Sequence, residues 1–278
     1  MTNYKDIEFI SDGLKLYGKL YLINKEKPTI ILLHGLGFHS FEYDSFAPLL
    51  AKSGYNCLAF DFRCCGKSEG KRGYWTLDDY VEDTKNVIEY VKQNINDSII
   101  LYGNSLGADV ALSFAAKYPE ESVKAIISAN CATKTADFAL TPFRKLLFSF
   151  AKLFKFIPFR VSVNHFIPYS LIIDSEDKVK EVVADKLVSD ARRFSVGTYR
   201  DIFSWDMTKV ITNVNVPILI IQGEKDRLQP ISQANQLFES SNEPKELMLI
   251  QTGHLPNIDN PEYLSRIVFK WLSQTDLK

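Results

Sequence analysis

Apolar and polar positions follow two different rhythms along this chain. Near its start, Ile7–Ser11 and Leu16–Leu22 read as strands joined by the turn signal Asp12-Gly13, which predicts an antiparallel hairpin. After Pro28, the runs Thr29–Leu33, Tyr55–Asp61, Ser98–Gly103, Val123–Ala129, Val216–Gly223 and Glu246–Thr252 mostly lack polar alternation, the pattern of strands buried on both faces. Stretches with helical spacing separate nearly all of them. The best are Glu42–Ser53, Leu77–Asn94, Ser105–Tyr118, Ile231–Ser240 and Pro261–Ser273, and the second carries Val81, Val87, Ile88 and Val91 on one side. Strands alternating with helices predict an α/β fold, a mostly parallel sheet covered on both faces.

The alternation stops between Cys131 and Met207, where the sequence turns helical and aromatic before strands resume. This predicts a helical cap at 131–207 inserted into a core made of 1–130 and 208–278. Within the cap, Phe143, Leu146, Leu147, Phe150, Leu153, Phe154 and Ile157 recur at three- and four-residue spacing, with Arg144, Lys145, Lys152 and Lys155 among them, and Pro158 ends the run. Two readings fit this stripe. It packs on the domain beneath, or it makes transient contact with an anionic membrane surface, for which basic residues flanking an apolar face are suited.

At 278 residues with 46% hydrophobic and 24% charged positions, the chain can bury a substantial core as one large α/β domain and is not disordered in composition. A formal net charge of −1 excludes bulk attraction to nucleic acid. Cys57, Cys64, Cys65 and Cys131 have neither metal-binding nor disulfide-framework spacing and read as free thiols. The first residues lack the apolar core of a signal peptide, and no apolar run is long enough to span a bilayer. The expectation is a cytoplasmic protein, at most peripheral to the membrane.

The chemistry centres on Gly103-Asn104-Ser105-Leu106-Gly107, which follows the apolar run Ser98–Tyr102 and opens a helical stretch. In such a strand–turn–helix the serine stands at the apex of a strained turn, and small flanking residues let the turn close. A serine hydroxyl needs a base within reach. Of the four histidines, His254 follows the last strand, at the carboxyl edge where sites form in parallel sheets, and is the expected base. His34 and His39 sit in or beside His34-Gly35-Leu36-Gly37 and are expected to fix that loop, while His165 lies in the cap and is expected to be structural. Asp226, in Gly223-Glu224-Lys225-Asp226, is the expected carboxylate partner of His254, with Glu224 as the competitor. The oxyanion donors are expected to be the N–H groups of Leu106, directly after the nucleophile, and Leu36, between two glycines. A dinucleotide site is excluded because Gly35-Leu36-Gly37 lacks the third glycine of the phosphate-binding pattern.

These residues resemble the α/β-hydrolase family, and within it the monoacylglycerol lipase and lysophospholipase group. The likeness rests on His34–Ser40 followed by Tyr43, on Asp61-Phe62-Arg63 with Gly66–Gly70, and on Gln222–Leu228, and it covers nearly the whole chain outside the cap. The resemblance implies an eight-stranded sheet, Ser105, Asp226 and His254 as triad, Leu36 and Leu106 as oxyanion hole, and a cap that forms an acyl-chain tunnel. Asn104 stands where these lipases usually carry His, and Cys64-Cys65 replace the usual Gly-His before Gly66. Neither position belongs to the implied triad.

The expected activity is hydrolysis of a carboxylic ester with an apolar acyl chain, monoacylglycerol or lysophospholipid, through an acyl-enzyme and without cofactor or metal. The alternatives on the same sheet are an aminopeptidase, a thioesterase or a carbon–carbon bond hydrolase. The acidic pair Glu176-Asp177 in the cap is the feature that would suit a peptide amine. A dehalogenase would need a carboxylate at position 105. A non-catalytic binding protein would be expected to have lost a triad residue, and none is missing.

Overall fold

The computed structural model describes residues 4–121, 123–133, 160–165 and 167–275. Its centre is a sheet of eight strands: β1 (Lys5–Ser11), β2 (Leu14–Tyr21), β3 (Thr29–Leu33), β4 (Asn56–Phe60), β5 (Ile99–Asn104), β6 (Val123–Ala129), β9 (Ile218–Gly223) and β10 (Lys245–Ile250), in the spatial order β1-β2-β4-β3-β5-β6-β9-β10. β1 and β2 form the expected hairpin, and Asp12 and Gly13 both take positive φ as a two-residue hairpin turn requires. β3, β4, β5, β6, β9 and β10 run parallel, and β2 is antiparallel to both its neighbours, β1 and β4.

Burial on both faces explains the unbroken apolar runs. In β3, Ile31 and Leu33 enter one core while Ile30 and Leu32 enter the other, and Leu101 and Ile220 divide in the same way from Ile100 and Leu219. Helices α1 (Ala47–Lys52), α2 (Leu77–Asn94), α3 (Leu106–Lys117), α4 (Ile231–Ser240) and α5 (Pro261–Gln274) supply the covers. α2, α3 and α4 lie on one face, α1 and α5 on the other. The start of α2 is fixed by a capping box in which Thr76 Oγ1 accepts the Asp79 N–H and the Asp79 carboxylate accepts the Thr76 N–H.

Three expectations need correction. Glu42–Ser53 is not one helix but a 3₁₀ turn, Ser40–Tyr43, followed by α1. Pro48 has no N–H for the carbonyl four residues earlier, so helix begins only around it. β10 is partly exposed rather than buried, because it is the last strand of the sheet and Leu249 faces outward. The inserted segment is not purely helical. It contains a two-stranded antiparallel ribbon, β7 (Arg160–Ser162) with β8 (Arg193–Ser195), beside short helices such as Glu176–Ala184 and Lys186–Ala191. Three-residue strands show no periodicity to read. The amphipathic run Phe143–Ile157 lies outside the described residues. A separate apolar cluster joins the inserted segment to the sheet, with Ile172, Val182 and Val188 packing on Phe38, Leu228 and Leu255, so the insertion sits over the strand ends.

Candidate active site

The sheet reverses direction of winding between β4 and β5, which flank β3, and the loops at this switch point form the site. β5 ends at Asn104 and α3 begins at Leu106, leaving Ser105 alone at the corner with φ 54° and ψ −121°. A side chain rarely adopts this conformation, and the surroundings hold it there. The Ser105 N–H donates to the Ala129 carbonyl at 2.8 Å, and its carbonyl accepts the Ala108 N–H at 2.9 Å. Both glycines of the motif are sterically required. A methyl on Gly107 would lie 1.8 Å from the Leu33 oxygen, and one on Gly103 would lie 2.2 Å from the Gly107 backbone. Leu106 is the first residue of α3, so its N–H has no intrahelical acceptor and stands at the positive end of the helix.

Asp226 and His254 come from the loops after β9 and β10. Asp226 Oδ2 lies 2.8 Å from His254 Nδ1, while its Oδ1 accepts the N–H groups of Leu228 at 2.7 Å and Gln229 at 2.9 Å. Burial alone would raise the Asp226 carboxyl, but the imidazole of His254 and these N–H donors outweigh it and hold the group below the usual carboxylate range. Nδ1 therefore carries the proton toward Asp226 and Nε2 is left as the acceptor. Asn130, at positive φ just past β6, ties the two loops together. Its Nδ2 donates to the His254 carbonyl at 2.8 Å and its Oδ1 accepts the Gly223 N–H at 2.8 Å. The competitor Glu224 is exposed and bonded to Gln251.

The loop after β3 is built around two buried groups. His34 accepts the Phe62 N–H at Nε2 and donates from Nδ1 to the Gly35 carbonyl, and burial lowers its pKa to about 4, against the pull of Gly35 and Asp61, so it stays neutral. Its expected loop-fixing role agrees with these bonds. Glu42 was not singled out in the sequence. Its Oε2 accepts the Gly35 N–H at 2.6 Å and its Oε1 accepts Asn257 Nδ2 at 3.0 Å. Gly37 at φ +73° turns the chain back, leaving Leu36 at the tip beside Ser105. His39 reaches beyond the loop to Asp185 of the inserted segment, Nε2 to Oδ2 at 2.9 Å, while His165 is exposed.

Leu36, Ser105, Leu106 and His254 all line one narrow cavity of about 60 Å³. Ser105 and His254 make no direct hydrogen bond among the described residues, a spacing common before substrate enters. The remaining wall is largely apolar, with Phe38, Val163, Ile167, Ile172, Trp205 and Leu255, and carries two buried ionisable groups the sequence did not flag, Asp109 and Arg192. Burial raises the Asp109 carboxyl to about 8, despite hydrogen bonds from Cys131 and Ala132, so it is mostly protonated at neutral pH. Glu176 and Asp177 are exposed at the start of their helix, and Asp177 pairs with Lys180. All four cysteines are free and buried. Among the described residues no acid, His or Cys cluster is arranged to hold a metal ion, and no helix is long and apolar enough to cross a membrane.

A doubly covered, mostly parallel sheet with a serine at a strained strand–helix corner and a histidine at the end of its last strand defines an α/β hydrolase of the serine-hydrolase type. The chain belongs to the Hydrolase_4 family, described as serine aminopeptidase, S33, whose model matches residues 24–254. It is 26% identical to a proline iminopeptidase of Thermoplasma volcanium over 94% of each chain. It is 25% identical to a monoacylglycerol lipase of Mycolicibacterium smegmatis over 76% of this chain and 74% of that one. The crystal structure of a monoacylglycerol lipase from Paleococcus ferrophilus superposes with a TM-score of 0.80 at 25% identity, covering 93% of this chain and 98% of the other.

Proposed function

We propose that the protein hydrolyses carboxylic esters with an apolar acyl chain, of the monoacylglycerol or lysophospholipid kind, through an acyl-enzyme on Ser105. The observation that carries this reading is a single, largely apolar cavity lined by both Ser105 and a His254 whose Nδ1 is engaged by Asp226. In the first half-reaction His254 Nε2 takes the Ser105 hydroxyl proton as Oγ attacks the ester carbonyl, and the N–H groups of Leu36 and Leu106 receive the negative oxygen. Collapse breaks the ester C–O bond, and His254 returns the proton to the departing alcohol. Water then attacks the acyl-enzyme, giving its proton to His254, which passes it to Ser105 Oγ as the carboxylic acid leaves. Asp226 holds the imidazole in the required tautomer throughout.

A second reading, an aminopeptidase, is favoured by the name of the family and by the proline iminopeptidase relative. Recognition of a substrate ammonium calls for an ionised acid in the pocket. Glu176 and Asp177 are on the surface, and Asp109, which does line the cavity, is held mostly protonated. The test is turnover of a chain-length series of glycerol monoesters against aminoacyl arylamides, including the prolyl one. The ester reading expects hydrolysis of the esters with a dependence on acyl length; faster turnover of an aminoacyl arylamide than of every ester would replace it.

A further inference from the structure

Arg192 is the least expected side chain in the cavity wall. It follows the helix Lys186–Ala191 and is 1% exposed, whereas its neighbour Arg193 faces solvent. Its stem lies against the turn after β3, so closely that a methyl on Gly37 would fall 2.4 Å from Arg192 Cγ. Nε donates to Asn164 Oδ1 at 2.6 Å, and Nη2 donates to the Ile167 carbonyl. The guanidinium carbon lies 4.4 Å from the Tyr169 ring centre and 6.0 Å from that of Phe38. These contacts use two of the five N–H donors of an arginine, and both acceptors are neutral.

No carboxylate of the described residues pairs with this guanidinium. The groups that act on it are the burial itself, which lowers its pKa to about 10, and the phenols of Tyr169 and Tyr199. Arginine therefore stays charged at neutral pH, while Asp109 across the same wall is mostly protonated. A buried charge without a counter-ion is costly, and an apolar side chain would fill the volume without that cost. With no counter-ion among the described residues, the arrangement makes chemical sense when a negative charge arrives with the ligand, because a guanidinium presents paired donors that match a carboxylate or phosphate.

We infer that Arg192 receives an oxyanionic group, a carboxylate or a phosphate, carried by the substrate, so that the ester cleaved at Ser105 is an acidic one. The inference rests on the hydrolase reading for the word substrate, but the anion site itself does not require turnover.

Two matched pairs of esters separate the sources of the anion. p-Nitrophenyl hemiglutarate against p-nitrophenyl pentanoate places a carboxylate on the acyl side, and a lysophosphatidate against the monoacylglycerol of the same chain places a phosphate on the alcohol side. For the wild type, kcat/KM is expected to favour the anionic member of one pair by at least about tenfold, in line with a charge-assisted hydrogen bond. Arg192→Met is expected to erase that ratio and Arg192→Lys to keep part of it. A wild type that favours neither anion, or an Arg192→Met protein that keeps the preference, overturns the inference. Should Arg192→Met fail to fold, the wild-type ratio and its reduction in Arg192→Lys carry the test. A binding arm uses Ser105→Ala protein titrated calorimetrically with pentanoate against pentanamide and with glycerol 1-phosphate against glycerol. Tighter binding of one anion, weakened on adding Arg192→Lys and lost on adding Arg192→Met, supports the site even if Ser105→Ala retains hydrolysis and the Ser105 reading falls. Equal binding of anion and neutral partner in both pairs overturns it.

Discussion

The N–H of Gly35 donates to Oε2 of Glu42 at 2.6 Å, one residue before the Leu36 N–H that the proposed oxyanion hole uses. Glu42 is itself held by Asn257 from the far end of the chain, so this carboxyl joins the turn after β3 to the segment after His254. Glu42→Ala should leave the Leu36 N–H poorly aimed. Removing an oxyanion donor outright costs about 10²–10³ in kcat, and loosening one should cost about tenfold to a hundredfold with little change in KM. Steady-state kinetics on the best ester checks this; a change confined to KM would place Glu42 elsewhere in the mechanism.

The same carboxyl should make stability depend on pH. Burial raises it from 4.5 to about 8, with Gly35 and Asn257 pulling the other way. Between these two values the folded state keeps a proton that the unfolded chain has released, so the contribution of this group is fully present below about 4.5 and is lost as pH rises toward about 8. Glu42→Gln removes that titration. Its melting temperature relative to wild type should therefore climb as the buffer moves from pH 5 to pH 8 and level off above. Asp109 is shifted in the same direction, and Asp109→Asn should show the same trend independently. A constant difference across this range would contradict the assignment.

Asp226 offers a sharper kinetic test. Asp226→Asn keeps the shape of the residue but favours the wrong imidazole tautomer, which in comparable triads lowers kcat by about 10⁴. Glu224→Gln, on the exposed competitor, should leave kcat/KM within about twofold, as surface substitutions usually do. Equal losses in the two variants would remove the distinction drawn between them.

At the corner carrying Ser105, the backbone leaves no room for a side chain on Gly107. Gly107→Ala would drive a methyl into the Leu33 carbonyl at 1.8 Å, and neither strand nor helix can retreat far enough. Destabilisation by more than about 3 kcal/mol is expected, read from denaturant unfolding. Gly54→Ala is the control. It also has positive φ, at +95°, but open space around it, and should cost only about 1 kcal/mol.

Local signals carried most of the fold and the nucleophile. The hairpin is announced by Asp12-Gly13, α2 by its caps and apolar face, and the Ser105 corner by glycines two residues to either side of it after an apolar run. The position of His254 just after the last strand singles it out among four histidines. What could not be read depends on contacts between distant segments. Glu42 and Asn257 are separated by 215 positions, and nothing local marks either as buried. Arg192 and Arg193 are adjacent and identical in type, yet only the first enters the cavity wall, because the ribbon β7–β8 fixes which side faces inward. Asp109 sits on a mostly apolar helix, where its burial follows from the packing of α3 beneath Cys131 and Ala132. Asn130 was discernible in principle, as an Asn directly past a strand end where positive φ is tolerated.

The most direct test of the central claim is covalent labelling by a fluorophosphonate together with ester turnover, in wild type and in Ser105→Ala protein of equal melting temperature. The account predicts a single labelled site at Ser105 in the wild type, no labelling in the variant, and loss of ester hydrolysis by at least about 10³-fold. Labelling and turnover that persist in Ser105→Ala would contradict it.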